Sequence, residues 1–261
     1  MNFIKKYLYI LRYIFYLAWC RNKTRFIKTK LGSFWIGLST LLTIGSLAFV
    51  YSTVLQVPNK REYICWIGLG ILYWNTHASL ISDFSTLLMR SRDRLLSTSI
   101  NVIDVIAEEY FFAVQNLIIS IFCVIPFLIL IYPKLIFSLF TLKAFFGLII
   151  YLILILLNAL VFSISGLISA DIFQLIPVVL QLSFLMSPIL YFKQTLEGKE
   201  WIYKYNPLYI PIGIVRGVIL KFEDYSYFNL SKIFALSLFL TVIFIQTIRK
   251  NARTLNLYVD K

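Results

Sequence analysis

The side chains able to do chemistry in this 261-residue chain are few and scattered. The single histidine, His77, follows Asn75 and Thr76 inside an apolar stretch, and it reads as a packing or pore-facing polar group rather than a base. Glu108 and Glu109 open a second apolar stretch, where a helix dipole favours acids, and Asp83 and Asp171 fall at the ends of others. No acid or base lies at the middle of such a stretch, where an ion-coupled pathway needs one. Cys20, Cys65 and Cys123 are odd in number and far apart, so neither a disulfide framework nor a metal site follows from them. A phosphate-cradling G-x-x-x-x-G-K-[ST] loop is absent, and Gly68 and Gly70 sit within an apolar stretch as packing glycines. No cofactor is expected in this chain, and no enzymatic activity. Work against a gradient would need an engine in another polypeptide.

What remains is uncharged polarity arranged in stripes. Ser39, Thr43, Ser46 and Thr53 share one helical face with Trp35. Gln174 and Gln181 are spaced two helical turns apart, with Phe184 and Pro188 on nearby turns. Two readings stay open: hydrogen bonding between helices, and the lining of a pore. Neutral polar groups interleaved with aromatic rings suit a sugar chain, because they pair with hydroxyls and stack on pyranose faces without gripping one charge.

The elements that must position these stripes follow from composition. The chain is 60% hydrophobic and 14% charged, with a mean hydropathy of +0.82. Soluble domains carry about 25% charged residues, and a single core of this size cannot hide so much apolar surface. The bilayer is the solvent that fits. A helix needs about 20 apolar residues to cross it, and six segments qualify: Ser33–Leu55, Tyr63–Asp83, Glu109–Ile131, Leu142–Ser165, Ile172–Leu190 and Leu230–Ile248. Continuous apolar runs without alternation indicate helices rather than barrel strands. The expected fold is therefore an all-α membrane domain: residues 1–32 as an interfacial helix and leader, 33–248 as a six-span bundle, and 249–261 as a tail.

Basic residues set the orientation. With the N-terminus inside, the leader, the second loop and the tail carry fifteen of the 25 Lys and Arg, and both ends lie in the cytoplasm. The net charge of +13 then reflects helix orientation and contact with anionic lipid rather than nucleic acid. The leader has no cleavage-site pattern, so it is expected to be retained. Its aromatic and aliphatic residues recur near helical spacing between Lys5, Lys6 and Arg12, as in a helix lying in the interface. A short seventh span over Tyr7–Trp19 is the competing reading. The inside loop Met89–Ala107 carries Arg90, Arg92, Asp93 and Arg94, then Leu95 and Leu96, and reads as a short amphipathic helix followed by a capping stretch at Asn101–Asp104. The outside loop, Tyr191–Phe228, is rich in aromatics. The Asn206-Pro207 breaker divides it into two short helices expected to dip into the outer leaflet.

Several of these landmarks fall in an order that resembles the ABC-2-type transporter permeases. Arg21-Asn22-Lys23-Thr24-Arg25-Phe26, followed by Thr29-Lys30-Leu31-Gly32-Ser33-Phe34-Trp35, is similar to that family's basic interfacial helix running into Leu-Gly-x-x-Trp. Gly68–Trp74 resembles its second span. Met186-Ser187-Pro188-Ile189-Leu190-Tyr191, then Tyr205-Asn206-Pro207-Leu208 and Arg216, resembles its Ser-Pro…Asn-Pro-Leu…Arg signature. Asn22 departs from the pattern, standing where many members have an acid, so no salt bridge carries over to it. Chain size and the lack of a large external domain resemble the subgroup that exports lipid-linked polysaccharide, such as O-antigen, capsule or teichoic acid.

The resemblance implies a homodimer in a bacterial inner membrane, paired with two copies of an ATP-binding cassette subunit that hold ATP and Mg. It assigns ATPase coupling to Arg90, Arg92, Asp93, Arg94, Leu95 and Leu96, with the interfacial helix contributing Arg21, Lys23, Arg25 and Lys28. Channel lining would fall to Trp35, Ser39, Thr43, Ser46, Gln174, Gln181 and Phe184. The outer gate would comprise Tyr191, Trp201, Tyr205, Asn206, Pro207 and Arg216. Within the same class, a permease for a lipid or drug is the alternative; a secondary transporter or a membrane-embedded transferase fits less well.

Overall fold

The computed structural model describes residues 2–55, 57, 59–97, 101–168, 170–192, 196, 198–204, 206–220 and 242. Among these residues the regular elements are all helices: α1 (Asn2–Arg25), α2 (Phe34–Val54), α3 (Lys60–Arg90), α4 (Arg92–Ser97), α5 (Val102–Ile131), α6 (Leu135–Leu139), α7 (Leu142–Ile168), α8 (Ala170–Met186), α9 (Trp201–Lys204) and α10 (Ile210–Leu220). Four of them, α2, α3, α5 and α7, are long and apolar enough to cross a membrane. They coincide with the first four spans expected from the sequence. The fifth expected span corresponds to α8, which has 17 residues and ends at Met186 rather than at Leu190. The sixth, Leu230–Ile248, lies outside the described residues, as does the tail.

Local signals account for the boundaries. Gly32 adopts the left-handed conformation at φ 55°, which glycine enters without a Cβ penalty, and this turns the chain from α1 into α2. At the start of α3, the Asn59 side chain accepts the Glu62 backbone N–H at 3.4 Å and donates to the Glu62 carboxylate at 2.7 Å. The expected cap of α5 is present: the Asp104 carboxylate accepts the Asn101 backbone N–H at 3.3 Å. Two boundaries move. α3 runs on to Arg90, so Asp83 sits inside the helix rather than at its end. α5 begins at Val102, so Glu108 and Glu109 lie more than a turn inside it rather than at its start, and both are buried.

α3 is the centre of the bundle. It packs against α2, α5, α7, α8 and α10, and residues 65–74 are buried on every side of the helix. Close approach relies on small residues: Gly68 lies under Leu128, Gly70 under Ile189 and Arg216, and on α2 Gly37 meets Cys123 and the Ile119 carbonyl of α5. Outside this core α1 crosses α5. Ile14, Ala18 and Asn22, each one turn from the next, form its buried stripe. Asn22 donates to the Gln115 side chain at 3.1 Å, and Gln115 donates to the Phe15 carbonyl at 3.0 Å. Tyr9, Tyr13, Tyr16 and Trp19 remain exposed. α1 is not among the helices apolar enough to cross a membrane.

Candidate functional site

Polar groups gather at two places along α3. Near its C-terminal end, residues of four helices, α1, α3, α4 and α5, converge on two acids. Glu109 of α5, with 3% of its side chain exposed, accepts from Arg21 of α1 at 2.6 Å and pairs with Arg90 of α3. Arg90 also lies 3.6 Å from Asp83, about two turns earlier on the same helix, while Arg94 of α4 pairs with Glu108. Arg21 also lies over the Phe112 ring, 4.2 Å from its centroid. Burial is the largest single influence on Arg21 and works against its charge, but the hydrogen bond it donates to Glu109, together with the negative charges of Glu109, Asp83 and Glu108, leaves the pKa raised. For Arg94 the hydrogen bond to Glu108 is the leading cause of a raised pKa.

The segment read as a coupling element is thus a helix end, α3 through Arg90, followed by the short α4. Two of its arginines, Arg90 and Arg94, reach inward to α5. Asp93 is exposed, Arg92 and Leu95 are half-buried, and Leu95 packs against the main core. Leu96 belongs to α4 by its backbone. Of the interfacial residues, Arg21, Lys23 and Arg25 lie on the last turns of α1, whereas Lys28 falls in the turn beyond it. Glu109 as the shared acid was not legible beforehand, because its position in sequence matched a simple helix-start acid.

The second gathering is near the N-terminal half of α3. Arg216, expected in an outside gate, is completely buried in α10. Its guanidinium lies 3.5 Å from the Trp66 ring centroid and donates to the Pro188 carbonyl at 2.8 Å and the Tyr209 hydroxyl at 2.6 Å. Trp66 in turn donates its indole N–H to the Tyr191 carbonyl at 3.0 Å, and Tyr63 donates to the Leu190 carbonyl. Asn206 donates to the Ser187 hydroxyl at 3.1 Å and accepts from the Leu208 N–H at 3.0 Å. These contacts bring the Ser187–Tyr191 and Asn206–Tyr209 segments together. Trp201 is exposed at the start of α9. Tyr205 lies outside the described residues.

The two short helices flanking Asn206-Pro207 are present as α9 and α10. α10 runs from the middle of α3 back toward its first turn. At one end, the Pro207 carbonyl accepts from Asn158 of α7 at 3.1 Å, beside His77 Nε2 at 3.3 Å from the same amide. At the other, Ile219 and Leu220 border a cleft with Glu62, Tyr132 and Lys134. His77 is therefore a packing group held between α3 and α7, in line with its sequence reading.

The polar stripes face away from the described core. Trp35, Ser39, Thr43 and Ser46 are exposed on α2. Each hydroxyl donates to its own helix: Ser39 to the Ile36 carbonyl, Thr43 to Ser39, Ser46 to Thr43. The interhelical bonding considered for this face does not occur within the described chain. On α8, Gln174 and Gln181 are both exposed, and Phe184 is half-buried with its ring 5.5 Å from that of Trp74.

Among the described residues no group of three His, Cys, Asp or Glu could hold a metal ion. No protein-family model and no curated protein matches the chain.

Proposed function

We propose that this chain is the membrane-spanning subunit of an ATP-driven exporter, working as a homodimer with two copies of a separate ATP-binding subunit. The cargo is a lipid-linked polysaccharide of the O-antigen, capsule or teichoic acid kind, carried across a bacterial cytoplasmic membrane. The observation that carries this reading is the exposure of Gln174 and Gln181 on a largely apolar helix. A serine or threonine hydroxyl satisfies itself on its own helix, as those of α2 do, but a primary amide cannot. Left in hydrocarbon, each amide would cost several kcal/mol, roughly 2–7 by transfer data. Such groups belong against water, a polar cargo or a second protein copy. With the α2 stripe they supply a neutral lining suited to sugar hydroxyls.

Other features agree. The ordered resemblance to ABC-2 permeases runs through Arg21–Trp35, Gly68–Trp74, Met186–Tyr191 and Tyr205–Arg216. In this reading Arg90–Leu96 is where the ATPase docks. α9 and α10 form a re-entrant hairpin whose turn reaches mid-membrane, and Arg216 anchors it. A permease for a lipid or drug is the second reading, favoured by the exposed apolar face that α2 also carries at Leu42, Phe49 and Val54.

The test is purification of the chain with and without the ATP-binding protein from the neighbouring reading frame. A stable complex whose ATPase activity depends on this chain is expected. Its absence overturns the transport reading, and a null strain that accumulates a lipid-linked glycan inside separates polysaccharide from drug or lipid cargo.

A further inference from the structure

One cleft is used by neither the exposed stripes nor the hairpin. It opens between α1, α3 and α5, has a volume of about 620 Å³, and is lined by Arg21, Arg25, Ser79, Ser82, Asp83 and Asn116 among others. That volume falls inside the range of ~300–1,000 Å³ usual for small-molecule sites. Its two cations differ in situation. Arg21 is fixed by Glu109, whereas Arg25 makes no ion pair among the described residues and lies over the Phe26 ring, 5.3 Å from its centroid.

The remaining lining is of opposite character. Asp83 and the Ser79 and Ser82 hydroxyls stand across from the guanidinium groups. The Asn116 Oδ1 is buried and accepts no hydrogen bond from the protein. A buried acceptor of that kind costs free energy unless a donor from elsewhere reaches it. Guanidinium groups suit phosphate oxygens; a carboxylate and an amide oxygen suit a hydroxyl or ammonium group. The cleft thus offers both halves of a phosphodiester that carries a polar substituent. It lies beside the exposed aromatic rows of α1 and at the charged end of α3, the level at which lipid headgroups meet such residues.

We infer that this cleft binds a phosphate ester bearing a neighbouring hydroxyl or ammonium group, the chemistry of a glycerophospholipid headgroup. Phosphate oxygens engage Arg21 and Arg25, and the substituent engages Asp83 and Asn116. The assignment rests on the membrane placement proposed above but not on the cargo or the ATPase. A bound headgroup would wedge α1 against α3 and α5, so lipid composition would set how firmly the leader docks.

The test uses the full chain alone in a mild detergent, titrated with dihexanoyl phosphatidylglycerol, with dihexanoylglycerol lacking the phosphate, and with free glycerol phosphate. Binding of the phospholipid and none of the neutral lipid is expected. Arg25→Gln, at an exposed residue outside the Glu109 cluster, should weaken the phospholipid by about tenfold, the loss expected for a charge-assisted hydrogen bond; Asn116→Ala should weaken it as well. Free glycerol phosphate binding as tightly as the lipid assigns the same site to a soluble phosphate ester; much weaker binding assigns it to the membrane. Unchanged affinity in both variants, or equal binding of dihexanoylglycerol, overturns the proposal. Because no ATP-binding subunit is present, that failure would leave the transport reading standing, and a failed ATPase complex would leave the cleft standing.

Discussion

The Arg216 guanidinium lies over the Trp66 indole, 3.5 Å from its centroid, and joins α10 to the most buried stretch of α3. An arginine buried completely is costly unless its charge meets compensating groups. Here the ring face, the Pro188 carbonyl and the Tyr209 hydroxyl supply them. Trp66 passes the connection on, since its N–H holds the Tyr191 carbonyl. Three segments distant in sequence are therefore tied at one point.

Arg216→Met should unfasten that point. It removes two hydrogen bonds and the ring contact together, a loss of roughly 3 kcal/mol. A lowered melting temperature in detergent and faster proteolysis between Tyr191 and Ile210 are the readouts. Arg216→Lys should rescue little, because an ammonium cannot reproduce the planar fork. Full rescue by lysine would show that charge alone matters there.

Glu109→Gln should loosen α1. One carboxylate holds both Arg21 and Arg90, so neutralising it leaves two cations facing a weaker acceptor. Cleavage by trypsin within residues 21–30 should rise several-fold relative to the wild type. Glu108→Gln should do less, since Glu108 pairs with Arg94 where Glu109 holds both Arg21 and Arg90.

Gly37→Ala should force α2 away from α5, because an added Cβ would collide with the Cys123 side chain. Overpacking of this kind costs about 1–3 kcal/mol. Moving the volume across the contact, with Gly37→Ala combined with Cys123→Gly, should recover part of the loss in a thermal-stability measurement. No recovery would place the strain on the Ile119 carbonyl instead.

The exposed amides of α8 offer an accessibility test. In a background without native cysteines, Gln181→Cys should react with a membrane-impermeant maleimide in the assembled complex. Phe122→Cys, on an exposed apolar position of α5, should not. Equal protection of both would make α8 a lipid-facing or tightly packed helix and remove the lining role from Gln174 and Gln181.

The long helices were legible because apolar residues run on in them for about the 20 residues that a bilayer crossing needs, with few charges between. The turn at Asn206-Pro207 was legible for the same local reason, as proline and asparagine break a helix wherever they stand. Glu109 was not, because its role depends on Arg21 arriving from 88 positions away. Arg216 was legible only as a member of an expected outer gate; its burial over Trp66 depends on a contact 150 positions away, which spacing does not encode. The α2 stripe was half legible. Its shared face follows from helical spacing, but each hydroxyl turned out to bond within its own helix, a choice that periodicity does not encode.

The burial of α3 differs sharply from that of its neighbours: 72% of its most apolar stretch is buried, against 22% for α2 and 28% for α5 and α7. α3 is in effect the axle of the molecule. Any rearrangement of the bundle would be carried by the helices around it, and tolerance to substitution should follow the same division. α2 can exchange its outward residues freely, whereas a single altered methyl between Tyr63 and Trp74 would be felt by the helices packed around it, α2, α5, α7, α8 and α10.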